Sequence, residues 1–394
     1  MAKQTLNKLV LVMLVLGAVA LAGSAHAGMP GTWTPTGSLN TGRSGHTATL
    51  LNDGRVLVVA GTILVQGPLG PIVQATNSAE IYHPTNKTWT TASSLNPNFP
   101  RSLHTATRLP DGRVLVAGGQ VPSPGGILHD VEIYDPSSDT WTTAASLNGG
   151  RYGHTATLLN DGRVLVAGGA TAPPFQTYRA EIYDPAANSW TLITPMNSAR
   201  VDHTANLLAD GKVLVAGGGT DSTELFDPTQ GTWTTTGPLN NPLRHHTATL
   251  LTDGRVLVAG GEYFDSTSGT VIQVNSVVIY DPATGTWAIT GPLTTPRTDH
   301  KANLLEDGQV LISGGAYQDS SGAYIPLNSA EIYDPDREIW TLIGPLNTAR
   351  YRHTATLLAN GRVLATGGSG ASGILNSAEV YKPEHKKNHG KPHK

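Results

Sequence analysis

The chain repeats one unit seven times, and this repetition constrains its fold more than any other feature. A His-Thr-Ala segment or a close variant recurs at intervals of 43–58 residues along the 394-residue chain. Each copy continues with a turn dipeptide, usually Asp-Gly, and then with a pair of small residues, usually two glycines. Such a period is typical of architectures in which each unit completes its core by packing against its neighbours. The landmark histidines are His46, His104, His154, His203, His246, His300 and His353.

Each unit predicts four short strands. Two β-prone runs flank the Asp-Gly dipeptide, which supplies the positive φ angles of a tight hairpin turn. A third strand ends at a proline, as in Glu-Ile-Tyr-Asp-Pro at 181–185, because proline has no amide hydrogen for the ladder. A fourth strand carries a Trp seven residues after the aromatic residue of the third, as in Tyr134 and Trp141. Large rings at such fixed positions are expected to pack one sheet on the next.

The two ends of the chain predict a closed ring. Trp33 has no preceding aromatic strand, and the last such strand, which contains Tyr381, has no following Trp. We therefore expect residues 31–40 to supply the outer strand of the seventh sheet and residues 353–383 to supply its other three. Closure removes free sheet edges. Because the chain has no Cys, it forms no disulfide, and closure is the expected source of stability.

The combination of Arg-x-x-His, Asp-Gly, a glycine doublet and a Tyr/Trp pair resembles the kelch repeat over nearly all of residues 31–383. The resemblance implies an all-β, seven-bladed kelch-type β-propeller closed by an N-terminal outer strand. Kelch propellers serve as protein-binding domains, as part of a copper-radical sugar oxidase and as a sialic-acid epimerase, so the fold alone does not define a function. The oxidase needs a Tyr crosslinked to Cys, and the absence of Cys excludes that activity here.

The sequence divides into three parts. A basic start, an apolar run at 9–22 and an Ala-His-Ala site at 25–27 predict a signal peptide at 1–27. The propeller is expected at 28–383 and a flexible basic tail, rich in His and Lys, at 384–394. We therefore expect a secreted or periplasmic protein without an integral membrane segment after cleavage. The alternative is an uncleaved anchor, but the apolar run is shorter than a typical membrane span.

The formal net charge of -3 gives no electrostatic reason to expect a nucleic-acid partner. No phosphate-binding loop, EF-hand loop, HExxH or G-x-S-x-G motif is present, although His385, His389 and His393 of the tail could bind a metal weakly. We expect a monomer with no cofactor and no metal.

Two sets of residues are candidates for ligand binding. The connections between the second and third strands vary in length, and the long ones carry aromatic residues: Tyr263, Phe264, Tyr317 and Tyr324. Variable loops on one face of a repeat protein often form its binding face, although solvated insertions are the alternative. The residue before each landmark histidine is ionisable only in copies four to seven: Asp202, His245, Asp299 and Arg352. These side chains could converge at the channel, or they could be chance variation at a solvated strand start.

Other recurring residues are better explained by structure. An Arg three residues before the landmark His and a Glu on the third strand, such as Arg151 and Glu181, are expected to form one ion pair per blade, except in the fifth copy, where Arg244 is displaced by one position and Val278 replaces the Glu. The alternative is a ring of Arg side chains that binds an anion. His154 and its equivalents are expected to be structural, since every blade has one.

These patterns predict an exported, non-catalytic propeller that binds a protein or a glycan through the face with the variable loops. The alternative function is a sugar epimerase or mutarotase, of the kelch sialic-acid epimerase type, that uses the polar patch at the channel.

Overall fold

The computed structural model describes residues 31–68, 70–122, 125–172 and 176–384. In these residues all regular secondary structure is β, and seven four-stranded antiparallel sheets form the blades of a propeller. The all-β, seven-bladed prediction is therefore confirmed. The expected signal peptide at 1–27, and all but the first residue of the expected tail at 384–394, lie outside the described residues.

Blades 1 to 4 run from an inner to an outer strand in chain order. Blades 1 and 2 consist of β2 (Thr47–Leu50), β3 (Val56–Val59), β6 (Ala79–His83) and β7 (Thr88–Ala92), and of β8 (Thr105–Arg108), β9 (Val114–Ala117), β10 (Val131–Asp135) and β11 (Thr140–Thr143). Blade 3 consists of β12 (Thr155–Leu158), β13 (Val164–Ala167), β14 (Ala180–Asp184) and β15 (Ser189–Leu192). Blade 4 consists of β16 (Thr204–Leu207), β17 (Val213–Ala216), β18 (Thr223–Asp227) and β19 (Thr232–Thr236).

Blades 5 and 6 follow the same order, whereas blade 7 combines strands from both ends of the described chain. Blade 5 consists of β20 (Thr247–Leu250), β21 (Val256–Ala259), β24 (Val277–Asp281) and β25 (Thr286–Ile289). Blade 6 consists of β26 (Lys301–Leu304), β27 (Val310–Ser313), β30 (Ala330–Asp334) and β31 (Ile339–Ile343). Blade 7 consists of β32 (Thr354–Leu357), β33 (Val363–Thr366), β36 (Ala378–Lys382) and, as its outer strand, β1 (Thr32–Pro35).

The innermost strands form a closed ring around a channel. Each contacts the innermost strand of both neighbouring blades, and β32 of blade 7 contacts β2 of blade 1. The second strand of each blade is fully buried, as in β13, whereas outer strands such as β15 are largely exposed. The hydrophobic core is therefore divided among the blade interfaces.

The outer strand of blade 7 comes from the start of the propeller. β1 pairs antiparallel with β36 and places Trp33 opposite Tyr381, with ring centroids 5.3 Å apart. Trp33 is 6% exposed and packs with Ile332 and Leu346 of blade 6. The unmatched aromatic residues at the two ends of the repeat region thus occupy one blade.

The Tyr/Trp pairs pack each blade against the preceding one. The rings of Tyr134 and Trp141 lie 5.0 Å apart and contact the core of blade 1. The Trp141 indole donates a 2.8 Å hydrogen bond to the Ser93 carbonyl of that blade. This contact satisfies the polar end of a ring whose remaining surface is apolar.

Six buried Arg–Glu ion pairs stabilise the blades. Arg151 Nη2 lies 2.7 Å from Glu181 Oε1, and Arg151 Nη1 donates to the Gly168 and Arg179 carbonyls. Glu181 Oε2 accepts hydrogen bonds from the backbone and side-chain nitrogens of Asn148. Both charges are therefore paired and hydrogen-bonded. The remaining pairs are Arg43–Glu80, Arg101–Glu132, Arg200–Glu224, Arg297–Glu331 and Arg350–Glu379.

We expect Arg151→Ala to lower the free energy of unfolding by about 3–5 kcal/mol, because it leaves the buried Glu181 carboxylate without its cation. Arg163→Ala is the matched control in the same blade, since the Arg163–Asp161 pair is 38% and 46% exposed. Its expected loss is about 1 kcal/mol or less. Urea unfolding of Arg151→Ala, Glu181→Ala and the double variant tests the coupling. Strictly additive losses would contradict a pairwise role.

The long connections are more ordered than the sequence analysis anticipated. Instead of loops, four blades carry an additional two-stranded hairpin between their second and third strands. Their first residues pair with the segment just before the innermost strand, as in the bridge between Ser44 and Thr62. The hairpins therefore lie at the channel end where the innermost strands begin, which we call the mouth face. They are β4–β5 (Thr62–Gly67, Gly70–Ala75), β22–β23 (Glu262–Asp265, Thr270–Gln273), β28–β29 (Ala316–Gln318, Tyr324–Pro326) and β34–β35 (Ser369–Gly370, Gly373–Ile374).

Candidate functional site

One backbone ring surrounds the channel at the mouth face. The amide of each residue that precedes a landmark histidine donates to the carbonyl of its equivalent in the preceding blade, at 2.9–3.2 Å. The last bond, from the Gly45 amide to the Arg352 carbonyl, closes the cycle. We call these seven residues the mouth ring: Gly45, Leu103, Gly153, Asp202, His245, Asp299 and Arg352.

All seven mouth-ring residues have the left-handed backbone conformation, with φ between 52° and 60°. Glycine adopts it without strain, and Asp and His adopt it more readily than most residues, but Leu103 and Arg352 have no such preference. Side chains in this conformation are held at a cost of about 1–3 kcal/mol each, which the surrounding structure must offset. The backbone of the mouth ring therefore fixes the position from which each side chain extends, regardless of the residue type.

A cavity of about 580 Å³ opens inside the mouth ring. Its walls are chemically unequal, because blades 1 to 3 contribute Gly45, Leu103 and Gly153, whereas blades 4 to 7 contribute the ionisable members. This volume is typical of a site for a small ligand. The remaining lining residues include Gln120, Tyr152, Lys301 and the seven landmark histidines.

The structure brings Asp202, His245, Asp299 and Arg352 together in one chain of polar contacts. His245 Nε2 lies 3.6 Å from Asp202 Oδ2, and His245 Nδ1 lies 3.4 Å from Asp299 Oδ1. Asp299 Oδ2 accepts a 2.9 Å hydrogen bond from Arg352 Nε. Since these residues come from four consecutive blades, only the ring architecture makes them neighbours.

The two carboxylates of this chain have different electrostatic environments. Burial raises the pKa of Asp202, and nearby Asp299 adds to the increase while His245 opposes it. Burial also acts to raise the pKa of Asp299, but His245 and Arg352 outweigh it and hold that pKa below its usual value. Two carboxyl groups with divergent pKa values on either side of an imidazole can divide the roles of proton donor and proton acceptor.

An aromatic wall adjoins this chain. The rings of Tyr324 and Tyr351 stack with centroids 6.1 Å apart, next to Arg352 in the sequence. Tyr324 Oη donates to Glu262, at 3.2 Å from each carboxylate oxygen, and thereby links the hairpins of blades 5 and 6. Burial and the Glu262 carboxylate raise the pKa of Tyr324 to about 12. The Tyr324 phenol is therefore protonated at neutral pH.

The other three aromatic candidates occupy different environments. Tyr263 is half-buried and packs against Leu243 and Val258 of the core, which leaves it little surface for a ligand. Phe264 is 62% exposed and Tyr317 is 37% exposed on their hairpins. Of the four hairpin aromatics, Tyr324 is thus the one that stacks on Tyr351, the residue that precedes Arg352 of the cavity wall.

The landmark histidines form an inner ring of hydrogen bonds between blades. His154 is buried, and its Nε2 lies 3.0 Å from Thr105 Oγ1 of the preceding blade. Burial, followed by the Arg151 guanidinium, lowers the pKa of His154 to about 3. Six blade interfaces share this Thr–His contact, at distances of 2.8–3.0 Å.

Lys301 interrupts this inner ring and was missed by the sequence analysis. It stands where the other six blades have Thr, and His353 contacts Ser313 Oγ instead, at 3.3 Å. The signal was present in the sequence, since His-Lys-Ala replaces His-Thr-Ala in the sixth copy alone.

Comparisons with known proteins agree with this fold. The family profile described as "KLHDC2/KLHL20/DRC7 Kelch-repeats domain" matches residues 153–368, and the profile described as "Kelch motif" matches residues 101–148. Kelch repeat and BTB domain-containing protein 12 of Danio rerio is 29% identical over 122 residues, which are 28% of this chain and 19% of that protein. Kelch-like protein 23 of Mus musculus is 35% identical over 81 residues, 21% of this chain and 14% of that protein. The chain therefore spans about a fifth or less of the length of these relatives.

Two solved structures share the architecture. One is titled "Novel fungal alcohol oxidase with catalytic diversity among the AA5 family, in complex with copper", with a TM-score of 0.73 and 19% identity over 90% of this chain and 76% of that chain. The other is titled "Structure of YjhT", with a TM-score of 0.58 and 16% identity over 77% of this chain and 98% of that chain. At these identities the likeness shows the fold alone.

Among the residues that the structure describes, no three His, Cys, Asp or Glu side chains are placed to hold a metal ion. The same residues contain no helix long and apolar enough to cross a membrane.

The repeated motif, the seven sheets and a family profile that spans more than half of the sequence agree, and the chain belongs to the Kelch-repeat family.

Proposed function

We propose that this chain is a non-catalytic propeller that binds a protein or a glycan at its mouth face. The carrying observation is that the polar cavity and the four hairpins lie at the same end of the blades. Charged side chains line the cavity, while Phe264 and Tyr317 are exposed on the hairpins. A charged centre bordered by exposed aromatic residues suits recognition of a polar ligand that also has an apolar surface.

Two features favour a ligand over solvated insertions. The hairpins of blades 5 and 6 are held together by Tyr324, Glu262, Gln273 and Gln318, so their exposed residues are presented on an ordered support. The mouth ring likewise holds its side chains in a conformation that most residues disfavour. An ordered support of this kind reduces the entropy lost on binding.

A protein of residues 28–394, screened on a glycan array and against a displayed peptide library, tests the proposal. We expect Arg352→Ala, and separately the double variant Phe264→Ser/Tyr317→Ser, to lower the affinity for the selected ligand at least about tenfold. This is the loss expected of a binding hot spot. Ile289→Ser is the matched control, because Ile289 is 77% exposed on an outer strand. Binding that tolerates both mouth-face changes would overturn the proposal.

The second candidate is a sugar epimerase or mutarotase. Its support is the flanking of His245 by two carboxyl groups whose pKa values move in opposite directions. Mutarotation of sialic acid, followed by NMR, distinguishes the candidates. Turnover that is lost in Asp202→Asn favours the enzyme, whereas binding without turnover favours the binding module. Export, predicted from residues 1–27, stays a prediction, and residence in the periplasm or outside the cell is part of this proposal.

A further inference from the structure

Lys301 carries a positive charge with no partner among the residues that the structure describes. It is half-buried at the start of β26 and lines the cavity. It forms no hydrogen bond or ion pair with any other described residue. By contrast, the six buried Arg side chains of the blades all have carboxylate partners.

The nearest acidic candidate is already engaged. Asp299 lies two positions before Lys301, but its carboxylate contacts His245 at 3.4 Å and Arg352 at 2.9 Å. Burial lowers the pKa of Lys301, and Asp299 partly opposes that shift. A half-buried ammonium is costly unless an anion or water compensates it, so this position favours a ligand that brings a negative charge.

The surroundings restrict the charge of that ligand. Asp202 and Asp299 face the same cavity and would repel a dianion such as a phosphate monoester. A carboxylate has a single charge and two oxygens that can accept hydrogen bonds from an ammonium group. The opposite wall, formed by Gly45, Leu103 and Gly153, is uncharged and suits the remainder of a small molecule.

We propose that Lys301 is the anion-binding residue of the cavity and pairs with the carboxylate of a small organic acid, whose uncharged part lies against Gly45, Leu103 and Gly153. This inference rests on the proposed function, because it names the class of ligand that would bind at the mouth face. It also explains why one blade departs from the Thr–His contact that the other six share.

The test compares acids with neutral molecules of similar shape by isothermal titration calorimetry on residues 28–394. The pairs are glucuronate with glucose, and benzoate with benzyl alcohol, so a sugar acid is distinguished from an apolar acid. We expect the acid of at least one pair to bind about tenfold to a hundredfold more tightly than its neutral partner, as a hydrogen-bonded ion pair would give.

Two substitutions separate a binding role from a structural one. Lys301→Thr restores the residue of the other six blades, so we expect a melting temperature at or above that of the unmodified protein. It should abolish the preference for the acid. Lys301→Arg keeps the charge and should retain most of that preference. An unchanged preference in Lys301→Thr, or the absence of any preference in both pairs, would overturn the inference.

The two proposals fail in different ways. If the ligand from the array or library depends on Arg352 but binds Lys301→Thr normally and neither acid is preferred, the inference fails and the proposed function stands. If an acid is bound through Lys301 but the mouth-face hairpin variants never affect any array or library ligand, the inference stands and the proposed protein or glycan recognition fails.

Discussion

Acidification from pH 7 to pH 4.5 is expected to unfold the propeller. An ordinary histidine in the unfolded chain binds a proton near pH 6.5, whereas burial lowers the pKa of His154 and of His246 to about 3 in the fold. Unfolding therefore takes up protons between these values. The contribution of these two histidines to the free energy of unfolding is therefore complete above pH 6.5 and is lost progressively as the pH falls towards 3.

The magnitude is large because the shift recurs in every blade. Between pH 6.5 and pH 4.5, His154 and His246 together lose about 5 kcal/mol of stability, at about 1.4 kcal/mol per pH unit for each group. The pKa values of the other five are also lowered by burial, and the total stability of a typical domain is only about 5–15 kcal/mol. They are His46, His104, His203, His300 and His353.

Urea unfolding at a series of pH values measures this effect. We expect His154→Gln to reduce the slope of the unfolding free energy against pH by about 1.4 kcal/mol per unit. His129→Gln is the control, since that side chain is exposed. Equal unfolding free energies at pH 7 and pH 4.5 would show that the landmark histidines are not buried as neutral groups.

Deletion of residues 28–40 is expected to open the ring. The deletion removes β1 and with it Trp33, which is 6% exposed, and it leaves the edge of β36 unpaired from Glu379 to Lys382. Loss of a buried Trp alone costs about 3–5 kcal/mol, and an unpaired edge strand favours association with other chains. We therefore expect a strongly lowered melting temperature and oligomers in size-exclusion chromatography.

Two further measurements make this test specific to closure. A synthetic peptide of residues 28–40, added in trans, should raise the melting temperature of the truncated protein, because it can pair with β36 as an added strand. Within the intact chain, Trp33→Ala should cost about 3–5 kcal/mol, whereas Thr32→Ala at an exposed position of the same strand should change stability by about 0.5 kcal/mol or less. An unchanged melting curve after the deletion would exclude this closure.

Features that recur in every copy could be predicted from the sequence. The Asp-Gly turns and the Tyr/Trp spacing define the strands and their order, because a turn or an aromatic pair at a fixed position has the same local cause in each blade. The seven sheets follow from that recurrence. Arg151 and Glu181 could be paired on the same reasoning, since buried charges need partners.

The candidate site depends on features that do not recur. The position before each landmark histidine could be singled out, because it is ionisable only at Asp202, His245, Asp299 and Arg352. The left-handed backbone at that position could not be predicted from Leu103 or Arg352. Only the glycines at 45 and 153 indicated it. The order of the hairpins could not be predicted, because these connections vary in length and sequence between copies. Lys301 was visible as a substitution, but its lack of a partner arises from contacts between blades.

The mouth ring also shows which part of such a protein can vary between blades without a change in backbone geometry. Its conformation is held by amide and carbonyl groups, and φ differs by only a few degrees among Gly, Leu, Asp, His and Arg at equivalent positions. The backbone atoms of these residues therefore form the ring, while their side-chain atoms set the chemistry of the cavity. A propeller of this design presents seven side-chain positions around one cavity, and five residue types occupy them in this chain on the same backbone geometry.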